Sequence, residues 1–332
     1  MAVITGETLQ AEPGPARTIK RRGARFRSAP WALLPSLGVS AIFVYGFIAF
    51  SVWISVSNWK RPTARDLTLR SPFGATYKEL FLEQRFQADL RNMVVFTVGF
   101  LLLAILGGLV TAVLVDRVVL GKGLFRSVFL LPYALSFIVT GVAFRWIFNP
   151  TAGINLVLTK LGVDNPPGWT TDTNVFGVIY GPVDAVRIEI GIPVALIPIV
   201  LAAAWQLMGF SMAMYLAGLS SIPHDEMEAA SVDGATSWQT LRHVILPQLW
   251  PSTVTCFVLL LHIALKIFDL VVAMSGSGPG FVTDVPGIYV FDAMTKSQRY
   301  DKGTAAALVV FAATCLVIVP YLARSYRAEK GR

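Results

Sequence analysis

The sequence is poor in charged residues. Asp, Glu, Lys and Arg make up 14% of its 332 residues, whereas soluble domains average about 25%. Hydrophobic residues make up 55%, and the mean hydropathy is +0.62. This composition argues against a soluble globular protein and places the chain in a lipid bilayer.

Residue types that usually form metal-binding or catalytic sites are scarce as well. The two cysteines, Cys256 and Cys315, lie in apolar runs without a Cys or His neighbour at metal-binding spacing, which is typical of small core residues. His262 stands alone in an apolar run, while His224 and His243 flank one polar segment. The chain also lacks a G-x-x-x-x-G-K-[ST] phosphate loop and a Ser/His/Asp set at defensible spacing. We therefore expect no metal, no bound cofactor and no catalytic site.

Long apolar runs are abundant instead. A helix needs about 20 apolar residues to cross the hydrocarbon core. Six runs qualify, at 31–57, 92–115, 127–148, 191–219, 248–274 and 303–323. The run VFGVIYGPV at 175–183 is too short to cross and is interpreted as a loop or surface turn. The predicted fold is an all-α integral membrane protein with six transmembrane helices.

Basic residues give these spans an orientation. An even number of spans places both ends on one side, and Lys and Arg concentrate in the cytoplasm. The basic residues beside the first and last spans are Arg17, Lys20, Arg21, Arg22, Arg25, Arg27, Arg324, Arg327, Lys330 and Arg332. We expect cytoplasmic tails at 1–28 and 324–332 around a six-span domain at 29–323. Loop 58–91 would then be external, although it too is basic. The net charge of +8 forms no continuous basic face, so no nucleic acid is expected as a partner.

The cytoplasmic segment 220–247 has the signals of ordered structure. Pro223 suits the first helical position, and acidic residues follow where the positive end of a helix favours carboxylates. Gly234 can take the left-handed conformation that ends a helix, and Thr236 or Ser237 can cap a second one. An amphipathic helix on the membrane surface is the alternative. The acidic face opposes it, because the inner leaflet is negative, and favours a protein partner.

This segment resembles the EAA loop of permease subunits in binding-protein-dependent, ATP-driven importers. The family pattern is E-A-A, three residues, G, nine residues and I-x-L-P. Glu228-Ala229-Ala230, Gly234 and Leu246-Pro247 keep this spacing, and Val244 replaces the isoleucine.

The resemblance covers most of the chain. WALLPSLGVSAIF, GLFRSVFLLP and KIFDLVVAMSGSGPG are similar to stretches of the maltose-type sugar importer permeases. FDLVV followed by VPGIYVF is most similar to the glucose/mannose branch, from which Ser275 and Ser277 depart.

The resemblance implies a type I importer permease fold in a bacterial or archaeal inner (plasma) membrane. The EAA helix of that family is a cytoplasmic coupling helix, which docks on a separate subunit that uses ATP and Mg. The implied partners are a second homologous permease subunit, two such nucleotide-binding ATPase subunits, an extracytoplasmic sugar-binding protein and membrane lipid. The residues implied to couple to the ATPase subunit are Glu228, Ala229, Ala230, Asp233, Gly234, Leu246 and Pro247.

Polar residues inside the apolar runs are candidates for a sugar path. A charge at the centre of a span costs about 2.5–3.5 kcal/mol. Lys266 and Asp269 lie three apart in the fifth run, on one helix face and close enough to pair. Trp205 can stack on a sugar, and Gln206 offers both a donor and an acceptor. The alternatives are a structural ion pair for the first two and helix packing for the other two.

Two sets of small residues allow close helix contact, at Gly107-Gly108 and Ala202-Ala203-Ala204. Six spans are too few to line a sugar path on all sides, so pairing with a second permease subunit is expected. The small residues could serve that contact or packing within this chain equally well.

Other functions compete with a sugar importer. An ion-coupled secondary transporter often has two related halves, but no repeat is visible and the EAA loop would have no purpose. A membrane scaffold would not need charges inside its spans. An ATP-driven permease for glycerol phosphate, a polyol or an oligosaccharide remains open. An anionic substrate would favour several cations along the path, and the spans offer only Arg145 and Lys266, which favours a neutral sugar.

Overall fold

The computed structural model describes residues 29–63, 65–117, 121–180 and 189–330. It divides into two compact units, Met1–Ile48 and Ala49–Arg332. The described part of the first unit is helical. Helix α1 covers Ala29–Ala41, and a π-helical turn at Ile42–Gly46 leads to helix α2, Phe47–Ser55. Many large apolar side chains between Leu34 and Trp53 are exposed, whereas Ile54 is buried.

The second unit contains helices of very different length. They are α3 (Ala75–Leu82), α4 (Gln84–Asp116), α5 (Lys122–Leu130), α6 (Phe137–Ile147), α7 (Ile154–Lys160), α8 (Ile197–Leu219), α9 (His224–Val232), α10 (Ser237–Thr240), α11 (Leu246–Gln248), α12 (Trp250–Leu265), α13 (Asp269–Met274), α14 (Pro286–Thr295) and α15 (Tyr300–Lys330).

Four described helical segments are each long and apolar enough to cross a membrane. They are Leu34–Ser55, Gln84–Asp116, Val194–Leu219 and Tyr300–Ala323. Two bent helix pairs raise the number among the described residues to six when each pair is counted as one span. They overlap the six predicted runs. The fifth differs most, because its bent pair begins at Ser237, within the predicted cytoplasmic segment 220–247, and ends at Leu265. Helix α4 begins well before residue 92, and α15 continues beyond residue 323.

The third predicted span is not a straight helix. Helices α5 and α6 meet at 97°. Pro132 lies in a 3-10 turn at Leu131–Ala134, and Leu135 then takes an extended conformation. Ser136 restarts the helix, because its hydroxyl accepts a hydrogen bond from the Val139 N–H at 3.3 Å. The predicted span at 127–148 is therefore a bent helix pair and not one straight helix.

The fifth predicted span is also interrupted. The 62° bend between Ser237–Gln248 and α12 lies at the start of this run, and the interruption follows α12. Helix α12 ends at Leu265, and Lys266 (φ −108°) and Phe268 (φ −143°) leave the helical conformation before α13 begins. No proline or glycine causes this second break. Helix α13 instead packs on α6, where a methyl group at Gly141 would lie 2.6 Å from the Cβ of Ala273.

A β-hairpin replaces the predicted loop after α7. Strands β1 (Val175–Tyr180) and β2 (Glu189–Pro193) pair antiparallel, with Val175 opposite Pro193 and Tyr180 opposite Glu189. The prediction of a loop or surface turn at 175–183 is wrong for residues 175–180, and residues 181–183 lie outside the described ones. The β-branched and aromatic residues of VFGVIY favour a strand.

Helices α4 and α8 form the centre of the second unit, and small residues let them approach closely. A methyl group at Gly108 would overlap the Cβ of Ser211, and one at Gly107 would lie 2.5 Å from the sulfur of Met208. Ala202 and Ala203 are buried in the main apolar core. Both predicted small-residue sets therefore pack within this chain.

Candidate coupling segment and polar residues of the spans

Helix α9 is a short exposed helix with defined ends. It starts after Pro223, one residue later than predicted, and carries Asp225 and Glu226 in its first turn. Gly234 follows it with φ +77°. The Ala235 N–H donates to the Ala230 carbonyl at 3.0 Å, and the Gly234 N–H donates to the Ser231 carbonyl at 3.1 Å. These bonds form the Schellman arrangement that ends a helix, which confirms the role predicted for Gly234.

A second helix, α10, begins at Ser237, with Thr236 as its N-cap residue. The Thr236 hydroxyl accepts from the Gln239 N–H at 3.4 Å, and the Gln239 side chain accepts from the Thr236 N–H at 2.7 Å. This reciprocal capping box confirms the predicted cap. Helix α10 then passes through a π-helical turn, Leu241–Ile245, into α11, with Pro247 in its first turn.

Buried apolar side chains attach the segment to the spans. Ile222 and Leu249 are buried at its two ends, and Met227 and Ile245 pack against the same cluster. The Gln248 side chain also donates a hydrogen bond to the Glu226 carboxylate. Helix α9 is thereby fixed to α11 as well as to α8, which leaves the loop little freedom to move independently of its spans.

The outer face of the segment has few contacts within the chain. The Glu228 side chain is 68% exposed and lies 3.5 Å from His224. Val232 and Trp238 are 87% and 65% exposed, although both are large and apolar. A depression of about 290 Å³ follows α9, lined by residues that include Asp233 and Gly234. Exposed apolar side chains around a structured depression are typical of a protein contact surface.

The other predicted contact residues lie around this face. Ala229 and Pro247 are exposed, and Ala230 and Leu246 are half-buried. The seven predicted coupling residues thus belong to one continuous capped segment, although Leu246 and Pro247 lie where it joins α12.

Replacing Gly234 by Val tests the closure of α9. A β-branched residue at φ +77° costs about 1–2 kcal/mol, whereas Asn tolerates this region better. The space around the position is open, so the effect reports on the backbone alone. We expect faster amide hydrogen exchange in α9 for Gly234→Val than for Gly234→Asn. Equal exchange in the two variants would contradict the assigned conformation.

Gln206 lies inside the bundle, away from open space. Its side chain is buried, and its amide nitrogen donates to the Leu135 carbonyl at 2.7 Å. The bend between α5 and α6 frees that carbonyl from helical bonding, so Gln206 secures the bend from α8. The Trp205 ring lies 5.3 Å from the Phe144 ring and is 41% exposed, so it retains a free face.

Lys266 and Asp269 are both exposed, on either side of the helix break. They do not form an ion pair among the described salt bridges, because the helix that would place them on one face ends at Leu265. The expectation of a shared helix face is wrong. The Lys266 ammonium instead donates to Nε2 of His262 at 3.1 Å.

A buried ionic cluster joins α4 to the segment after α13, and the sequence reasoning missed it. The Arg85 guanidinium donates to Asp284 at 2.6 Å and to Asp292 at 2.8 Å. Asp89 is fully buried, and its carboxyl group lies within hydrogen-bonding distance of that of Asp284. Burial raises the pKa of Asp284, although the Arg85 charge opposes this. The Asn92 amide donates to the Asp284 carbonyl at 2.8 Å.

Glu83 extends this cluster to α14 and α15. The Tyr289 hydroxyl donates to it at 3.0 Å, and the Lys302 ammonium does so at 2.6 Å. Two of the basic residues in 58–91, Arg70 and Arg85, therefore neutralise acids within the chain. The helical spacing of Arg85, Asp89 and Asn92 was the available signal, since it places three polar residues on one face.

Among the described residues, no three His, Cys, Asp or Glu side chains come close enough together to hold a metal ion.

Comparison with known proteins gives a consistent result. Residues 104–326 match the family described as binding-protein-dependent transport system inner membrane component. A probable ABC transporter permease protein of Pyrococcus horikoshii is 32% identical, covering 90% of this chain and 95% of that protein. The xylose/arabinose import permease protein XacH of Haloferax volcanii is 34% identical, covering 91% and 88%. The trehalose/maltose transport system permease protein MalF of Thermococcus litoralis is 27% identical, covering 87% and 90%.

Solved structures show the same fold. One chain of a bacterial ABC transporter involved in the import of the acidic polysaccharide alginate matches with a TM-score of 0.70 at 20% identity, covering 90% of this chain and 95% of that chain. The same kind of transporter, in complex with an alginate pentasaccharide-bound periplasmic protein, matches with a TM-score of 0.69 at 19% identity, covering 88% and 91%. None of these comparisons places the chain in the glucose/mannose branch.

Proposed function

The chain belongs to the family of binding-protein-dependent transport system inner membrane components, and we propose that it is the permease subunit of an ATP-driven importer of neutral sugars. It forms half of the translocation path. The observation that carries this proposal is the segment from α9 to α11. It is capped at the break between α9 and α10, anchored between two spans and exposed on its outer face.

The segment transmits the ATP-driven movement of a partner to the spans. Glu228 pairs with a basic group of a nucleotide-binding subunit, and the Ala229 and Ala230 surface lets that subunit approach closely. Asp233 and Gly234 line the depression at the end of α9. Leu246 and Pro247 connect the segment to α12. The partner subunits bind ATP and Mg, and this chain hydrolyses nothing itself.

The remaining partners and the topology follow from the same proposal. A second homologous permease subunit completes the path, and two nucleotide-binding subunits lie on the cytoplasmic side with both tails, 1–28 and 324–332. The segment between α13 and α15 then faces the extracytoplasmic sugar-binding protein. Support for a sugar comes from the relatives, whose names specify xylose/arabinose and trehalose/maltose.

The sugar path passes the broken fifth span. Lys266 and Asp269 are exposed at the break, and non-helical backbone at membrane depth is tolerated where it lines a water-filled cavity. Trp205 offers a ring face to the sugar. Gln206 acts indirectly by fixing the bend of the third span through Leu135.

Co-purification with ATPase activity tests the proposal. The chain is isolated with its native partners in mild detergent, and ATP hydrolysis is measured with the extracytoplasmic binding protein and xylose, arabinose, trehalose, maltose, glucose or mannose. We expect ATPase activity to co-purify and to rise with one loaded binding protein. A chain that purifies alone and transports its solute without ATP would point to the ion-coupled alternative.

A further inference from the structure

A small polar pocket lies between the end of α6 and the segment that follows α13. It has a volume of about 210 Å³, and Arg145 lines it from the last turn of α6. Hydroxyl and amide side chains make up the rest of its polar lining, Asn149, Thr170, Thr171 and Ser275. No acidic residue is among its described lining residues, so the pocket carries one positive charge.

The Arg145 guanidinium is the unmatched group of this pocket. The residue is exposed, and nothing in the described parts of the chain forms a hydrogen bond or an ion pair with its side chain. Arg70, Arg85 and Lys302, in contrast, each form an ion pair with an acid of this chain. A cation left without a counter-ion beside hydrogen-bonding groups indicates a ligand from outside the chain.

A buried side chain fixes one wall of the pocket. Asn155 is 3% exposed, and its amide nitrogen donates to the carbonyls of Pro150 at 2.8 Å and Pro167 at 3.1 Å. The Asn155 side-chain oxygen accepts from the Trp169 indole at 2.6 Å. These bonds hold the stretches 149–150 and 167–171 together, and both stretches contribute lining residues.

Hydrogen bonds fix the opposite wall as well. Thr283 is fully buried, and its hydroxyl donates to the Gly276 carbonyl at 3.0 Å. The Thr283 N–H donates to the Ser277 carbonyl at 3.3 Å. Gly278 passes so close that a methyl group there would lie 2.5 Å from the Thr283 hydroxyl. The pocket is therefore preformed, and a ligand would not have to order its walls on binding.

We propose that this pocket receives a carboxylate side chain, Asp or Glu, of the extracytoplasmic binding protein. The inference rests on the proposed function, which turns the segment between α13 and α15 toward that protein. A guanidinium presents a planar fork of donors that matches a carboxylate. The Asn149 amide adds N–H donors, because its oxygen already accepts from Thr151.

A unit of the transported sugar is the competing occupant. The hydroxyl and amide groups of the lining could bind it, but a neutral sugar would leave the Arg145 charge without a counter-ion. Complementary charges across an interface accelerate association and fix the register of the partners. The unmatched charge therefore favours a carboxylate of the docking protein.

The affinity of the binding protein for the complete transporter tests the proposal. The transporter is isolated with its native partners and placed in phosphatidylcholine nanodiscs. The purified binding protein that stimulates its ATP hydrolysis is then titrated onto it. We expect an affinity about tenfold lower for Arg145→Gln, equivalent to about 1.4 kcal/mol, and partial rescue by Arg145→Lys. Added salt should weaken binding to the wild type more than binding to Arg145→Gln.

Lys160→Gln is the matched control. Lys160 is an exposed cation at the end of α7 and does not line the pocket, so this variant should bind like the wild type. Unchanged affinity of Arg145→Gln, or equal losses in Arg145→Gln and Lys160→Gln, would overturn the docking pocket and leave the proposed function intact. If no binding protein stimulates the wild-type transporter, the proposed function fails and the docking pocket fails with it.

Photo-crosslinking in native membranes identifies the occupant directly. With benzoylphenylalanine in place of Thr170, we expect a product that contains the binding protein. A product that contains only phospholipid would refute the docking pocket. An Arg145→Gln transporter that binds the binding protein normally but changes its sugar preference would assign the pocket to the sugar path instead.

Discussion

Glu228→Lys is expected to abolish sugar uptake without removing the protein from the membrane. The Glu228 side chain is 68% exposed, and its salt bridge within the described structure is to His224 on the same helix, so the fold does not depend on it. In the proposed complex the substitution opposes two positive charges. Like-charge juxtaposition at an interface costs several kcal/mol, and about 3 kcal/mol reduces coupling by about 100-fold.

Uptake into membrane vesicles and stimulated ATPase activity are the measurements. Asp225→Lys is the matched control, because Asp225 is an exposed carboxylate on the same helix outside the predicted contact set. It should retain most of the uptake. Wild-type uptake by Glu228→Lys, or an equal loss in both variants, would show that Glu228 does not couple transport to ATP hydrolysis.

Arg85→Met is expected to destabilise the protein strongly and to make its stability depend on pH. Arg85 donates to two carboxylates, of which Asp284 is fully buried. Removing one partner of a buried ion pair costs about 3–5 kcal/mol. Burial already raises the pKa of Asp284, and the loss of Arg85 raises it further because the opposing charge is gone.

The sign of the pH dependence follows from that shift. A carboxyl group with a raised folded-state pKa binds its proton more tightly in the folded protein than in the unfolded chain. Its contribution to the free energy of unfolding is largest below the pKa of the unfolded chain, about 4. The contribution disappears as the pH rises through the pKa of the folded protein. Arg85→Met should therefore unfold at a higher temperature at pH 5 than at pH 8.

Arg85→Met combined with Asp284→Asn provides the control. The amide cannot ionise, so the double variant should recover part of the stability and lose most of the pH dependence. Thermal unfolding in detergent at the two pH values measures both effects. A pH dependence that persists unchanged in the double variant would assign it to another group. The neighbouring carboxyl groups are Asp89, which lies against Asp284, and Asp292 and Glu83.

The sequence predicted the coupling segment better than the spans that hold it. Its signals are local, since Gly234 and Thr236 each act within a few residues of their own position. The break at Lys266 has no such signal. The helix after the break, α13, packs against α6, and such a tertiary contact has no local sequence pattern.

Contacts between residues far apart in the sequence explain the other features that the sequence analysis did not predict. Arg85 and Asp284 are 199 positions apart, and Gln206 and Leu135 are 71 apart, so periodicity within one segment cannot connect them. The hairpin at Val175–Tyr180 was missed for a related reason. Its partner strand, Glu189–Pro193, lies at the start of a run that reads as a transmembrane helix.

The double cap between α9 and α10 has a mechanical consequence. Only three residues, Asp233, Gly234 and Ala235, separate Val232 at the end of α9 from the Thr236 cap, and the backbone groups around them are hydrogen-bonded. A load applied to α9 would have to break caps worth about 1 kcal/mol each before this elbow could bend. The connection between α9 and α10 is therefore stiff under small forces. Such a force moves α8 and α12 together, because both ends of the segment pack in the cluster of Ile222 and Leu249.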